Sequence, residues 1–296
     1  MRVAVSGVNG FVGAHLAQDL VTAGHEVLGL GKGAVAPAVG EILVGYVDQD
    51  LRSGWPDLAA HGVDAVAHLA GLSAVGPSFA DPQGYLEGNS APMTHLGEQM
   101  LTAGSGMRLL VVSTGAVYAP GVGVDETSPT VAGSPYAVSK LLVETQCDYY
   151  RRRGLDVVVV RPFNHIGPGQ QPGFLLPDLI AGLRSGALTV GDLDTRRDYT
   201  DVRDVVRAYR LALEAPAVPP VLNICSGTSV SGRTMLMLAA EALGIQDPEV
   251  SVDRARLRPD DPRDISGDHS LATEVLGWSP GFALEQTVAD TVAATA

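Results

Sequence analysis

Short apolar runs, rich in valine, alternate with longer amphipathic stretches over the first two-thirds of the chain. The apolar runs are continuous, which is typical of strands that are buried on both faces of a parallel sheet. The strands predicted in this way cover residues 2–6, 26–30, 65–69, 109–113, 157–161 and a returning strand at 221–226. The helices predicted between them cover residues 11–23, 90–103 and 135–153.

Beyond Arg161 the pattern changes to short pieces separated by proline and glycine, most clearly at residues 166–173. The whole arrangement predicts an α/β fold, a doubly wound parallel sheet of the Rossmann type with a smaller, mixed α/β C-terminal domain. We expect the first domain to comprise residues 1–164 with 200–226, and the second to comprise residues 165–199 with 227–296.

Composition narrows the possible partners. The 296-residue chain has a formal net charge of −13, which repels polyanions, so we expect neither a nucleic acid nor a membrane as its partner. Its two cysteines, Cys147 and Cys225, lie far apart in the sequence, which indicates neither a disulfide framework nor a cysteine metal site, and no metal is expected. No apolar run approaches the roughly 18 residues that a membrane span needs, and we expect a cytoplasmic location.

A glycine-rich turn follows the first predicted strand directly. Its glycines are spaced three apart, which permits a tight turn, close approach of the backbone to a diphosphate and close packing of helix on strand. A glycine-rich connection without a ligand is the alternative, but the position between strand and helix favours a dinucleotide site. The residues predicted to bind it here are Gly7, Asn9, Gly10, Phe11, Val12 and Gly13.

The end of the second strand bears on which dinucleotide binds. Folds that bind NAD usually carry an acid there for the ribose diol, whereas this chain has Gly31 and Lys32. A lysine can attract a 2′-phosphate, so NADP(H) is favoured over NAD(H), although a solvated loop lysine fits the sequence equally well. Asp50 and Leu51, after the third strand, are expected at the adenine, with an ordinary surface loop as the alternative.

Candidate catalytic residues follow the strand at 109–113. Tyr136 and Lys140 lie four apart in a predicted helix, so both side chains share one face. We expect the lysine to lower the pKa of the phenol from its usual value of about 10, as acid catalysis near neutral pH requires. Thr114 lies at the carboxyl end of a strand, where it can orient a substrate carbonyl toward Tyr136.

These residues, in this order, resemble the extended short-chain dehydrogenases/reductases, and the resemblance runs through almost the whole chain. It implies an NAD(P)-binding first domain and a catalytic tetrad of Thr114, Tyr136, Lys140 and Asn89, the asparagine supporting a proton-relay water. A helix N-cap is a second, compatible role for Asn89. The resemblance also implies cofactor contacts from Tyr136 and Lys140 and from four further residues, Leu69, Ala70, Gly71 and Phe163.

Segments 161–170 and 191–199 resemble those of the family's nucleotide-sugar branch, above all the GDP-6-deoxy-4-keto-mannose reductases. This implies a homodimer and a second domain that binds a nucleotide sugar, with guanidinium groups on its diphosphate. The implied substrate-binding residues are Ser73, Ser78, Thr114, Asn164, His165, Arg197 and Arg258. For each arginine, a surface ion pair is the alternative, and Arg196 is expected to be solvated.

Related enzymes run three reactions on such substrates: 4-epimerisation, 4,6-dehydration and 4-keto reduction. Dehydratases of the family carry acidic residues just after the active-site threonine, where this chain has Gly115 and Ala116. We therefore expect an NAD(P)-dependent oxidoreductase that reduces the C4 keto group of a GDP- or dTDP-linked 4-keto-6-deoxyhexose. A 4-epimerase with tightly bound NAD is the alternative, and a non-catalytic NAD(P)-sensing binding protein is a remote one.

Overall fold

A computed structural model describes residues 1–104, 106–253 and 261–295. The strands in chain order are β1 (Arg2–Ser6), β2 (Glu26–Gly31), β3 (Gly45–Asp48), β4 (Ala65–His68), β5 (Arg108–Val112), β6 (Asp156–Pro162), β7 (Asn164–Ile166), β8 (Leu188–Val190), β9 (Arg196–Asp201), β10 (Val221–Ile224), β11 (Ser229–Ser231), β12 (Val250–Val252) and β13 (Asp264–Ile265). The helices are α1 (Phe11–Thr22), α2 (Pro37–Gly40), α3 (Val75–Ser78), α4 (Pro82–Ala103), α5 (Pro135–Arg152), α6 (Leu175–Ser185), α7 (Val202–Glu214), α8 (Gly232–Ala242), α9 (Ser270–Leu276) and α10 (Leu284–Ala294).

Within the described residues, a seven-stranded parallel sheet has the order β10-β6-β5-β4-β1-β2-β3. One apolar cluster packs α1 and α7 against one face of the sheet, and a second packs α4 and α5 against the other. The predicted doubly wound fold is thereby confirmed. The order of the strands reverses between β1 and β4, and sheets of this kind bind ligands at such a switch point.

Most predicted boundaries agree with the structure to within one or two residues, but the helix predicted at 90–103 is α4, which begins eight residues earlier. Asp81 is its N-cap, with a side chain that accepts from the Gly84 amide, and Pro82 occupies its first turn. Two glycines early in α4 lower its helix propensity, so the sequence pattern there does not indicate a helix. Packing of α4 against α5 stabilises the helix despite these glycines. Asn89 therefore lies inside the helix, and its expected N-cap role is wrong.

A smaller unit follows β6. Strand β9 is flanked by β11 and β13, and β7 also pairs with it, in register from Asn164 opposite Tyr199 to Ile166 opposite Asp201. Helices α6, α8 and α10 form a separate apolar cluster beside these strands. This separate core supports the two-domain division at residues 164/165, 199/200 and 226/227, which we retain as a proposal. No helix in the described ranges is both long and apolar enough to cross a bilayer.

Candidate active site

The glycine-rich turn has the conformation that its sequence predicts. Gly7 has a positive φ of 73°, and a Cβ on Gly13 would lie 2.1 Å from the Gly7 carbonyl oxygen, so neither position accepts another residue without a shift of backbone. Helix α1 begins directly afterwards, with Gly10 at its N-cap and no acidic residue in its first turn. Its amide groups and helix dipole therefore face the cleft as an anion site, which fits the diphosphate of a dinucleotide.

A cleft of about 1990 Å³ opens at the carboxyl ends of the parallel strands. It is large enough for a dinucleotide together with a second ligand, and it brings most of the predicted site residues together. Those that line it are Gly7, Asn9, Gly10, Phe11, Val12, Gly13, Lys32, Asp50, Leu51, Leu69, Ala70, Gly71, Ser73, Thr114, Tyr136, Lys140, Phe163, Asn164, His165 and Arg197.

Lys32 lies at the rim of the cleft near the end of β2. Its side chain is 71% exposed, and its ammonium group forms an ion pair with Asp50 at 3.1 Å. Arg52 binds the same carboxylate and, with Lys32, holds the pKa of Asp50 well below its usual range. Arg52 is a second cation at this rim that was not predicted from the sequence. A Cβ on Gly31 would lie 2.6 Å from the Asn9 side-chain oxygen, so the acid usual in NAD-binding folds would fit here only if the Asn9 side chain moved.

Thr114 and Tyr136 meet at the centre of the cleft. Ser134 caps α5 by accepting from the Ala137 amide, and this places Tyr136 in the first turn of the helix. Thr114 follows β5, and its hydroxyl lies close enough to Tyr136 to favour the ionised form of the phenol and so lower its pKa. Lys140 lies one turn further along, buried, with its Nζ 2.9 Å from the Val112 carbonyl oxygen and 6.0 Å from the centroid of the Tyr136 ring.

The expected depression of the Tyr136 pKa is wrong for this structure. Burial raises the pKa of Tyr136 to about 12 and outweighs the opposing effect of the nearby Thr114 hydroxyl. Burial also lowers the pKa of Lys140 to about 8. The Lys140 ammonium is directed at the Val112 carbonyl. Desolvation is therefore the largest influence on the pKa of Tyr136 and on the pKa of Lys140. Tyr136 therefore lines the cleft as a protonated phenol, which is the form that a general acid needs.

Asn89 is buried behind the cleft and is absent from its lining. Its amide oxygen accepts from the Leu72 amide at 2.7 Å, and its amide nitrogen donates to the Leu72 carbonyl and to Ser139. Both N–H donors are thus used, and Asn89 ties the segment after β4 to α5. Its proton-relay role stays a prediction.

The predicted substrate residues separate into two groups. Asn164, His165 and Arg197 line the far side of the cleft, where Arg197 binds Asp261 at 2.8 Å and the Pro262 carbonyl at 2.8 Å. Ser73 lines it from the segment after β4.

Ser78, another predicted substrate residue, does not line the cleft in this structure. Ser78 is wholly buried and its hydroxyl donates to the Val75 carbonyl, so its assignment to the substrate site is withdrawn. Arg258 lies outside the described residues. Arg196, expected to be solvated, is about half exposed but donates to the Ser229 carbonyl and pairs with Asp264.

A buried polar network behind the site escaped the sequence analysis. Glu144, on α5, binds Arg161 of β6, and Arg161 in turn donates to the Tyr118 hydroxyl at 2.8 Å. The spacing of Glu144 from Lys140, one helical turn, was the available signal.

Comparison with known proteins agrees with this geometry. Residues 3–225 match the family described as the NAD dependent epimerase/dehydratase family. GDP-6-deoxy-D-mannose reductase of Pseudomonas aeruginosa is 33% identical over 97% of this chain and 94% of its own. UDP-glucose 4-epimerase of Mycolicibacterium smegmatis is 31% identical over 99% and 97%, respectively.

Solved structures show the same likeness. MoeE5, solved in complex with UDP-glucose and NAD, superposes with a TM-score of 0.88 and 30% identity over 100% of this chain and 98% of its own. The predicted family and the predicted class of enzyme, an NAD(P)-dependent oxidoreductase, are both confirmed. The chain belongs to the NAD-dependent epimerase/dehydratase family, within the extended short-chain dehydrogenases/reductases.

Proposed function

We propose that the protein reduces the C4 keto group of a nucleotide-activated 4-keto-6-deoxyhexose, linked to GDP or dTDP, with NAD(P)H as reductant. This proposal rests on the side chains at the end of β5. Thr114, Tyr136 and Lys140 lie together there, and no acidic residue stands beside the threonine. The reductase from Pseudomonas aeruginosa supports it, because that protein matches nearly the full length of both chains.

The proposed roles follow from the positions of the side chains. When bound, the dinucleotide supplies a hydride to C4 of the sugar. Tyr136 donates its phenolic proton to the carbonyl oxygen, so one hydride and one proton convert the ketone to an alcohol. Thr114 holds that oxygen beside the phenol, and Lys140 binds the cofactor ribose at the floor of the cleft. The amides at the start of α1 hold the cofactor diphosphate.

Dehydration is disfavoured by the packing next to Thr114. A Cβ on Gly115 would lie 2.8 Å from the Phe163 ring, so this position cannot accept an acidic side chain unless the ring moves. Ala116 supplies no acid or base either. Reduction needs only the groups that are present.

NADP(H) is the reductant we propose. Lys32 and Arg52 place two cations at the rim where the adenosine ribose lies in this family, and Gly31 supplies no carboxylate at the end of β2. A 2′-phosphate there would compete with Asp50 for both cations.

The sugar nucleotide is assigned to the opposite side of the cleft. We propose that Asn164, His165 and Arg197 contact it together with Ser73 and the undescribed Arg258. Arg197 is already held in place by Asp261 and Pro262, so it can meet a diphosphate with little loss of side-chain entropy.

A cytoplasmic homodimer through α4 and α5 is also proposed. The apolar side chains of Val138, Leu142 and Tyr149 are 40%, 40% and 51% exposed, and they share one face of α5. Light scattering of the purified protein measures its mass directly; a monomer at micromolar concentration would contradict the proposal.

A nucleotide-sugar 4-epimerase is the second candidate, favoured by the 31% identity to the epimerase of Mycolicibacterium smegmatis. The deciding experiment follows the absorbance of NADPH or NADH while a GDP- or dTDP-linked 4-keto-6-deoxyhexose is generated in place. Stoichiometric oxidation is the expected result. Interconversion of 4-epimeric sugars without added reductant would establish the epimerase instead, and cofactor binding without turnover would indicate the sensor.

A further inference from the structure

Tyr209 is completely buried, yet its hydroxyl has no hydrogen-bond partner among the described residues. Three other buried tyrosines, Tyr85, Tyr118 and Tyr150, each donate to an oxygen within 3.1 Å. Buried polar groups in proteins are nearly always paired, because an unpaired one loses its bonds to water without replacement. A ligand that binds beside Tyr209 would supply the partner that its hydroxyl lacks.

The direction of the side chain shows where that partner binds. Helix α7 lies between β9 and β10 in the chain, and β10 is parallel to β6. Helix α7 therefore begins at the edge of the sheet where the parallel strands have their carboxyl ends, and it ends at the opposite edge. Side chains on a helix lean toward its N-terminus, so the phenol of Tyr209 points toward the carboxyl-end edge. Tyr209 accordingly lines the cleft from below.

Its surroundings identify the part of the cleft. Helix α7 packs against α1, β5 and β6, and the last residues of those two strands, Val112 and Pro162, also line the cleft. Val112 is the residue whose carbonyl receives the Lys140 ammonium. Burial raises the pKa of Tyr209 far above its usual value, and the nearby phenol of Tyr136 further disfavours ionisation of Tyr209. Tyr209 is thus a neutral hydrogen-bond donor close to the centre where Tyr136 acts.

We propose that the Tyr209 hydroxyl donates a hydrogen bond to the carboxamide of the bound nicotinamide ring and fixes that ring beside Tyr136. A carboxamide oxygen is a neutral acceptor of the kind that a buried phenol can pair without a charge imbalance. This proposal rests on the binding of the family's dinucleotide. It does not depend on whether the reaction is keto reduction or epimerisation, so the role of Tyr209 can be wrong while the proposed reaction is right.

The test uses Tyr209→Phe, which removes the hydroxyl and keeps the ring. In dinucleotide-free protein, the dissociation constant of NADPH or NADH should rise about tenfold, the effect of one net hydrogen bond. The dissociation constant of ADP-ribose, or of its 2′-phosphate for NADPH, should not change, because these molecules lack the nicotinamide. The melting temperature without ligand should stay the same or rise, since an unpaired buried hydroxyl has been removed.

Tyr150→Phe is the matched control, because Tyr150 is also buried but donates to the Thr94 carbonyl outside the cleft. It should lower the melting temperature and leave all dissociation constants unchanged. Three results for Tyr209→Phe would overturn the proposal: unchanged dinucleotide affinity, equal loss of ADP-ribose affinity, or a fall in melting temperature as large as that of the control.

Discussion

Arg161 binds Glu144 through two hydrogen bonds, from Nε to Oε1 at 3.0 Å and from Nη2 to Oε2 at 2.6 Å. The two side chains are only 8% and 12% exposed. The pair joins β6 to α5 directly below Lys140, and Ser113 donates a further hydrogen bond to the same carboxylate. The position of the helix that carries Tyr136 therefore depends on a buried ion pair.

The first prediction concerns Glu144→Gln. Loss of the carboxylate leaves the Arg161 guanidinium buried without its counter-charge, and breaking a buried pair in this way costs about 3–5 kcal/mol. Urea denaturation at pH 7 measures the change in the free energy of unfolding. Adding Arg161→Met removes the stranded charge and should restore part of the loss. Glu26→Gln breaks the exposed pair with Arg2 and should cost under about 1 kcal/mol; an equally small cost at Glu144 would contradict our account.

A second prediction addresses the proton donor. Tyr136→Phe should lower the rate of keto reduction by about 10²–10⁴-fold, the usual contribution of a positioned general acid. The dissociation constant of the dinucleotide should change little, because the phenol ring and Lys140 remain. Steady-state kinetics and fluorescence titration provide the two measurements. Undiminished turnover would remove Tyr136 from the mechanism.

The parts of the site that were predictable depend on local chemistry. Two signals depend only on residues that are close in the sequence, so the sequence alone indicates them. They are the glycine spacing at the first turn and the four-residue spacing of Tyr136 and Lys140. The alternation of apolar runs likewise indicated the doubly wound sheet, because strands buried on both faces need continuous apolar sequence.

The features that escaped prediction depend on residues far apart in the chain. The bonding of Arg161 with Glu144 requires that β6 pack against α5, and the unpaired hydroxyl of Tyr209 is visible only once α7 lies under the cleft. The pKa of Tyr136 was predicted with the wrong sign for the same reason. Spacing showed a nearby lysine, but only the folded structure shows how deeply the phenol is buried.

The third prediction concerns the choice of dinucleotide. Lys32→Ala and Arg52→Ala should each lower kcat/KM for NADPH about tenfold and leave that for NADH within about twofold, because only the 2′-phosphate needs a charged partner. Steady-state assays with both reductants measure the ratio. Arg153→Ala, which removes an exposed cation at the far end of α5, is the control and should change neither value. Equal losses for both reductants would assign the two cations to the adenosine or its diphosphate.

The last prediction uses the buried His68, whose Nδ1 lies 2.8 Å from the Ser6 hydroxyl. Burial, together with the charge of Lys140, lowers the pKa of His68 to about 3. Between pH 6.5 and 3 the unfolded chain therefore binds a proton at His68 that the folded protein does not, and acid favours unfolding over this range. At pH 5, 1.5 units below the unfolded pKa, the loss from this residue is about 2 kcal/mol.

His68→Asn removes the titrating group while its amide can still pair with Ser6. The difference in the free energy of unfolding between pH 7 and pH 5 should be smaller in this variant than in the parent protein by about 2 kcal/mol. His61→Asn, at an exposed histidine, should leave that difference unchanged. The contradicting result would be an unchanged pH difference in His68→Asn as well. His68 would then have to accept its proton in the folded protein, through an opening beside β4 that exposes the imidazole to water.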